Sequence, residues 1–203
     1  MVVSLLHRKE RIILSTIEVI NELGIQGLST REIAKREGIS EGTIFKHFQS
    51  KNQLLLAVLD YYSQYDSDIV KSINLKNLEP IDAILYFVDA YATYYESYPA
   101  ITVISQSYDV LSYNPKLTNK IKDIFLGRIK TMETLVKEGQ TLGEIHPNAD
   151  AEKLASMILG SFRIICLKWR MEEYKFPLKE YILSALKMLL DEFITEPHEK
   201  NLK

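Results

Sequence analysis

Between Ser29 and Lys51 the chain carries hydroxyl, glycine and cationic residues whose spacing suits contact with a polyanion. On a helix starting near Glu41, the residues Gly42, Thr43, Lys46 and His47 share one face, because positions three and four apart are neighbours. Lys46 can donate to guanine or to phosphate, Thr43 can touch a base edge or a thymine methyl, and Gly42 lets the backbone approach a sugar-phosphate. Ser29 and Thr30 open one helix and Lys51 another, where free amide N–H groups and the helix dipole favour an anion; with His47 they are candidate phosphate clamps. Other chemistry is poorly served. The histidines at 7, 47, 146 and 198 have no metal-ligand spacing, and Gly160-Ser161-Phe162 lacks the second glycine of a nucleophile elbow. There is no phosphate-cradling glycine loop, and pairs such as Glu172-Glu173 read as solvated surface. The single Cys166 can form neither an internal disulfide nor a thiolate cluster. The expectation is a chain that is not an enzyme and calls for no metal and no cofactor.

The elements that must hold these residues are legible from capping and turn chemistry. A first helix over about 8–23 has an inward stripe of Ile13, Ile17 and Ile20, with Gly24 as a left-handed stop. Ser29 with Glu32 makes a capping box for a short second helix, and Leu28 with Ile33 a hydrophobic staple. Ser40 caps a third helix over 41–48, and Ser50 with Gln53 opens a long fourth. Ile33 and Ala34 point inward from the second helix and Ile44 with Phe48 from the third, with Gly38 in the turn and Ala34 small enough for a close crossing. That arrangement is a helix-turn-helix, whose second helix enters the major groove. Eight residues at about 1.5 Å each span roughly 12 Å, close to the groove width.

Over its 203 residues the chain is 46% apolar and 26% charged with a formal charge of −2, which excludes disordered and collagen-like classes. The charge is unevenly spread: residues 1–52 hold eight Lys/Arg against six Glu, and the remainder 17 against 21 Asp/Glu. A modestly basic front suggests that only the front meets a polyanion. The longest uncharged stretch, 97–108, is too short to span a membrane and contains Pro99; the apolar start, 1–6, precedes its charges and so does not read as a signal peptide. A cytoplasmic protein is expected. Prolines at 80, 99, 115, 147, 177 and 197 separate helical stretches, and hairpin signals are missing, so the fold class is all-α with about nine helices.

The run Leu28-Ser-Thr-Arg-Glu-Ile-Ala-Lys-Arg-Glu-Gly-Ile-Ser-Glu-Gly-Thr-Ile-Phe-Lys-His-Phe48, with Arg11-Ile-Ile-Leu14, Gly24, Ser50-Lys51 and Leu54-Leu55, resembles the TetR family of transcriptional regulators over residues 8–58. The resemblance implies an N-terminal three-helix DNA-binding domain, 1–52, and a helical effector-binding and dimerisation domain, 53–203. It gives DNA roles to Ser29, Thr30, Ser40, Gly42, Thr43, Phe45, Lys46, His47 and Lys51. Phe45 stands where the family most often has tyrosine, so a hydroxyl contact to phosphate is missing. Glu41 stabilises the helix start through the dipole, accepts from a cytosine amino group, or faces solvent; the first reading is favoured.

Eight of the twelve tyrosines fall between 61 and 98. They form either an aromatic core or the lining of a cavity whose ligand satisfies their hydroxyls. By resemblance the effector pocket lies among helices 4–8, which makes Tyr61, Phe87, Tyr91, Tyr94, Phe125, Met132, Phe162 and Arg163 its candidates and an apolar or aromatic molecule its ligand. Arg163 either pairs with a ligand carboxylate, is matched in a dimer interface, or snorkels outward. In the last helix nine of the thirteen residues from Ile182 to Ile194 are apolar, which implies packing on two sides. A homodimer through helices over about 150–172 and 178–193 follows, also by the resemblance. The implied function is a ligand-responsive repressor that binds a palindromic double-stranded DNA operator and is released by a small-molecule effector. The competing reading is a helical ligand-binding or interaction module with a non-functional helix-turn-helix.

Overall fold

The computed structural model describes residues 7–195; His198 and Pro197 lie outside them. Among the described residues there are ten α-helices: α1 (Arg8–Gly27), α2 (Thr30–Glu37), α3 (Glu41–His47), α4 (Lys51–Lys76), α5 (Pro80–Ser97), α6 (Thr102–Gln106), α7 (Tyr108–Ser112), α8 (Thr118–Thr141), α9 (Ala151–Met171) and α10 (Leu178–Leu190). The all-α expectation holds. The count exceeds nine because the stretch after α5 breaks into a 3₁₀ turn, Pro99–Ile101, followed by α6 and α7, with Ser107 (φ −93°, ψ 1°) parting the latter two. Among the described residues no helix is long and apolar enough to cross a membrane.

The described residues up to Tyr65, together with Tyr98–Ile124, form one compact unit; Asp66–Ser97 and the residues from Phe125 on form the other. α4 begins at Lys51, and the units divide further along, inside α4 and again inside α8. The first unit has Ile12, Ile17, Ile20, Ile33, Ile44, Leu54 and Leu59 at its centre, all 0–1% exposed. α1 packs on α2 and also on the 3₁₀ turn and α6, so residues 98–117 complete its core. Asn114 Nδ2 donates to Asn52 Oδ1 at 2.7 Å, and the Tyr62 and Tyr108 rings meet edge-on at 6.3 Å.

In the second unit α10 packs against α5 and α9. Pro80 begins α5, where a missing N–H costs nothing, and Glu144 accepts a hydrogen bond from the next amide, Ile81, at 3.0 Å. Asp150 caps α9 by accepting from the Lys153 N–H at 3.1 Å. Trp169 Nε1 donates to the Phe176 carbonyl at 2.8 Å and so fastens the α9–α10 turn. An isolated antiparallel bridge between Ile145 and Ile194 closes the end of the unit.

Candidate functional site

The local code that builds the helix-turn-helix is visible atom by atom. Ser29 Oγ accepts from the Glu32 N–H, Ser40 Oγ from the Thr43 N–H and Ser50 Oγ from the Gln53 N–H, each at 3.2 Å, so three successive helices begin where a hydroxyl satisfies an orphan amide. Gly38 closes α2 in the left-handed region (φ 63°, ψ 35°), and the Ile39 N–H returns to the Ala34 carbonyl at 3.0 Å. This is a Schellman ending. Ile33, Ala34, Ile44 and Phe48 are all buried. With those four held inward, the rotation of α3 is fixed and its other side is left to solvent: Gly42, Lys46 and His47 are exposed, Thr43 half-buried and Phe45 49% exposed.

Charge is sorted by the same packing. Arg11 pairs with Glu37 at 2.8 Å, Ser15 donates to the same carboxylate, and Arg36 pairs with Glu22. These cations fasten α1 to α2. Among the described residues Lys46 and His47 have no ion-pair or hydrogen-bond partner, so their donors face outward. Several expected contact residues have other duties. Ser29 and Ser40 are engaged as caps, and Ser40 Oγ lies 3.0 Å from Thr43 Oγ1. Thr30 Oγ1 donates to Glu41 Oε2 at 2.5 Å, joining the starts of α2 and α3, a role for Glu41 that sequence reasoning missed. Lys51 Nζ donates to the Leu28 carbonyl at 2.8 Å and thereby ties α4 to the residue preceding the α2 cap.

Of the effector candidates, Phe87, Tyr91 and Phe162 come together in the second unit: Tyr91 lies 5.0 Å from Phe87 and 6.4 Å from Phe162, and Tyr95 bridges Phe162 (5.5 Å) and Tyr94 (6.0 Å). Met132 is fully buried, Phe125 is 41% exposed and Arg163 is half-buried. Tyr61 belongs to the first unit, where burial and then the Glu10 charge raise its phenol above the ordinary value. Two charged residues at the aromatic cluster escaped sequence reasoning. Arg128 grips Asp66 through Nε (3.0 Å) and Nη2 (2.8 Å), Tyr91 donates its hydroxyl to the same carboxylate, and the guanidinium lies 4.6 Å from the Tyr91 ring centre.

A capped helix-turn-helix with a cationic outer face, joined to a helical unit containing an aromatic cluster, defines a DNA-binding transcriptional regulator. Residues 12–58 match the family described as bacterial regulatory proteins of the tetR family, and residues 63–192 match the C-terminal region of YsiA-like proteins. The chain belongs to the TetR family of transcriptional regulators. It is 23% identical over 185 residues to the fatty acid metabolism regulator protein of Bacillus subtilis (strain 168), covering 89% of this chain and 92% of that one. The fold resembles the fatty acid degradation regulator FadR of Bacillus halodurans, with a TM-score of 0.79 at 21% identity over 90% of this chain and 94% of that one. It also resembles FadR of Bacillus subtilis in complex with stearoyl-CoA, with a TM-score of 0.77 at 23% identity over 89% and 96% of the two chains.

Proposed function

We propose that this regulator is a homodimeric repressor, acting in the cytoplasm on a near-palindromic operator and released by an amphiphilic effector with a long apolar chain. DNA contact is assigned to residues up to 52, and effector binding and dimerisation to those from 53 on. The observation that carries the reading is α3, whose apolar side is locked inward while Gly42, Lys46 and His47 are exposed and Thr43 is half-buried. Ser29, Thr30 and Lys51 flank it as phosphate contacts, Thr30 by exchanging Glu41 for a phosphate oxygen. Ser40 and Phe45 border the same face.

Dimerisation is supported by exposed stripes of small and large apolar residues, with one serine, on two neighbouring helices. On α9 these are Met157, Gly160, Ile164 and Met171; on α10 they are Tyr181, Ser184 and Met188. Ile164 is 65% and Met188 73% exposed, and pairing α9 and α10 with their copies would bury both stripes in a four-helix bundle. Two recognition helices about 34 Å apart then address successive major grooves. The aromatic cluster of Phe87, Tyr91 and Phe162 suits the apolar part of an effector, and the stearoyl-CoA bound by the Bacillus subtilis FadR suggests an acyl chain. Effector binding shifts the population towards a state in which α4 has moved and the two helices no longer fit together.

The test is a gel shift on DNA upstream of the protein's own gene at two salt concentrations, with and without stearoyl-CoA. Affinity should fall steeply with salt and fall again with ligand. DNA affinity that is absent or indifferent to salt would mean a non-functional helix-turn-helix.

A further inference from the structure

Two charged residues interrupt apolar stripes at corresponding depths of two helices. Along α8 the buried side runs Ile121, Ile124, Met132 and Val136, and Arg128 occupies the position between Ile124 and Met132. Along α4 it runs Tyr62, Ile69 and Ile73, with Asp66 between Tyr62 and Ile69. Helical spacing therefore aims both charges at the interior. Their side chains are 12% and 24% exposed, and they meet as a two-pronged ion pair against Tyr91, on α5.

We propose that Arg128 is the residue that recognises an anionic group on the effector, and that Asp66 is an internal stand-in which the effector's carboxylate or phosphate displaces. This rests on the ligand-response reading above and names the polar end of that site. A guanidinium holding a carboxylate by two parallel N–H bonds is already shaped for any second carboxylate or for phosphate. Breaking a buried pair outright is costly, but exchanging one anion for another leaves Arg128 compensated throughout. Asp66 is the more exposed partner, so its carboxylate has a route to water once released. The Tyr91 ring beneath the guanidinium adjoins Phe87 (5.0 Å) and Phe162 (6.4 Å), so an apolar tail attached to that anion would meet aromatic neighbours. The exchange unties α4 from α5 and α8 at one point, so anion recognition and the release of α4 are a single event.

Isothermal titration of the full chain with dodecanoate, with uncharged 1-dodecanol and with stearoyl-CoA tests this. Asp66→Asn, which removes the competing charge, should bind dodecanoate or stearoyl-CoA about tenfold more tightly than the unaltered chain. Tightening confined to dodecanoate identifies a carboxylate as the displacing group, and tightening confined to stearoyl-CoA a phosphate; either supports the exchange. Tyr91→Phe keeps the ring but loses one hydrogen bond to Asp66, and should tighten binding by a smaller factor, which covers a folding failure of the first variant. Arg128→Gln should lose the preference for dodecanoate over 1-dodecanol. A fastener with no recognition role predicts the opposite: anion binding no tighter, or absent, in folded Asp66→Asn and Tyr91→Phe, or an unchanged preference in Arg128→Gln, and any of these overturns the proposal. Failure of DNA binding in all chains, with the exchange intact, would sink the repressor reading alone.

Discussion

Lys46 and Lys51 carry the same charge but different duties. Lys46 has no intramolecular partner among the described residues and projects from the last turn of α3, whereas Lys51 already spends one N–H on the Leu28 carbonyl. Lys46→Ala should therefore cost roughly 5- to 150-fold in affinity for the operator and relax sequence preference at one position, read by gel shifts on single-base variants. Lys51→Ala should weaken binding to all sequences alike and lower the salt slope by about 1. Equal effects of the two on sequence preference would reject the division. Cys166, fully buried, has its thiol pushed up to about 12 by burial, with Arg170 opposing the shift. Native protein at pH 8 should then react with an aromatic disulfide reagent roughly a thousandfold more slowly than unfolded protein, since only the thiolate attacks. Because the folded value lies above the unfolded one near 9, this thiol favours the fold below pH 9, and that contribution declines as pH rises from 9 towards 12.

The elements were largely readable because their boundaries are written in short-range chemistry. Ser29, Ser40 and Ser50 begin helices by bonding amides three residues on, and Gly38 ends one by its left-handed backbone; none of this needs a distant residue. Gly24 illustrates a limit. It was expected in the ordinary left-handed region, but its φ of 70° and ψ of 174° fall in a region open essentially to glycine alone, and a helical turn follows to Gly27. Gly24→Ala should accordingly cost about 1–3 kcal/mol, and Gly38→Ala about 1 kcal/mol, in urea unfolding; a reversed order would contradict the two backbone assignments. What sequence reasoning missed was long-range or side chain to side chain. Thr30 and Glu41 meet only once α2 and α3 have crossed, and Asp66 and Arg128 stand 62 positions apart. Their signal was present as charges at apolar stripe positions, but a stripe on one helix does not name its partner on another.

At the scale of the molecule, the proposed dimer is tested at the open stripes of α9 and α10. Ile164→Glu with Met188→Glu should convert the dimer to a monomer by light scattering at micromolar concentration and should also abolish tight operator binding, because single recognition helices forfeit the joint fit. A doubly substituted chain that stays dimeric would send the interface elsewhere. The first compact unit has a further consequence for how the protein is made. Part of its core comes from the 3₁₀ turn (Pro99–Ile101) and α6 (Thr102–Gln106), which pack on α1 although α5 intervenes in the chain. α1 to α3 are synthesised before these residues, so α1 lacks part of its covering until α6 has been made. Nascent chains stalled before that point should be readily cut by protease within α1 to α3, and should become resistant once residues up to Ile124 have emerged from the ribosome.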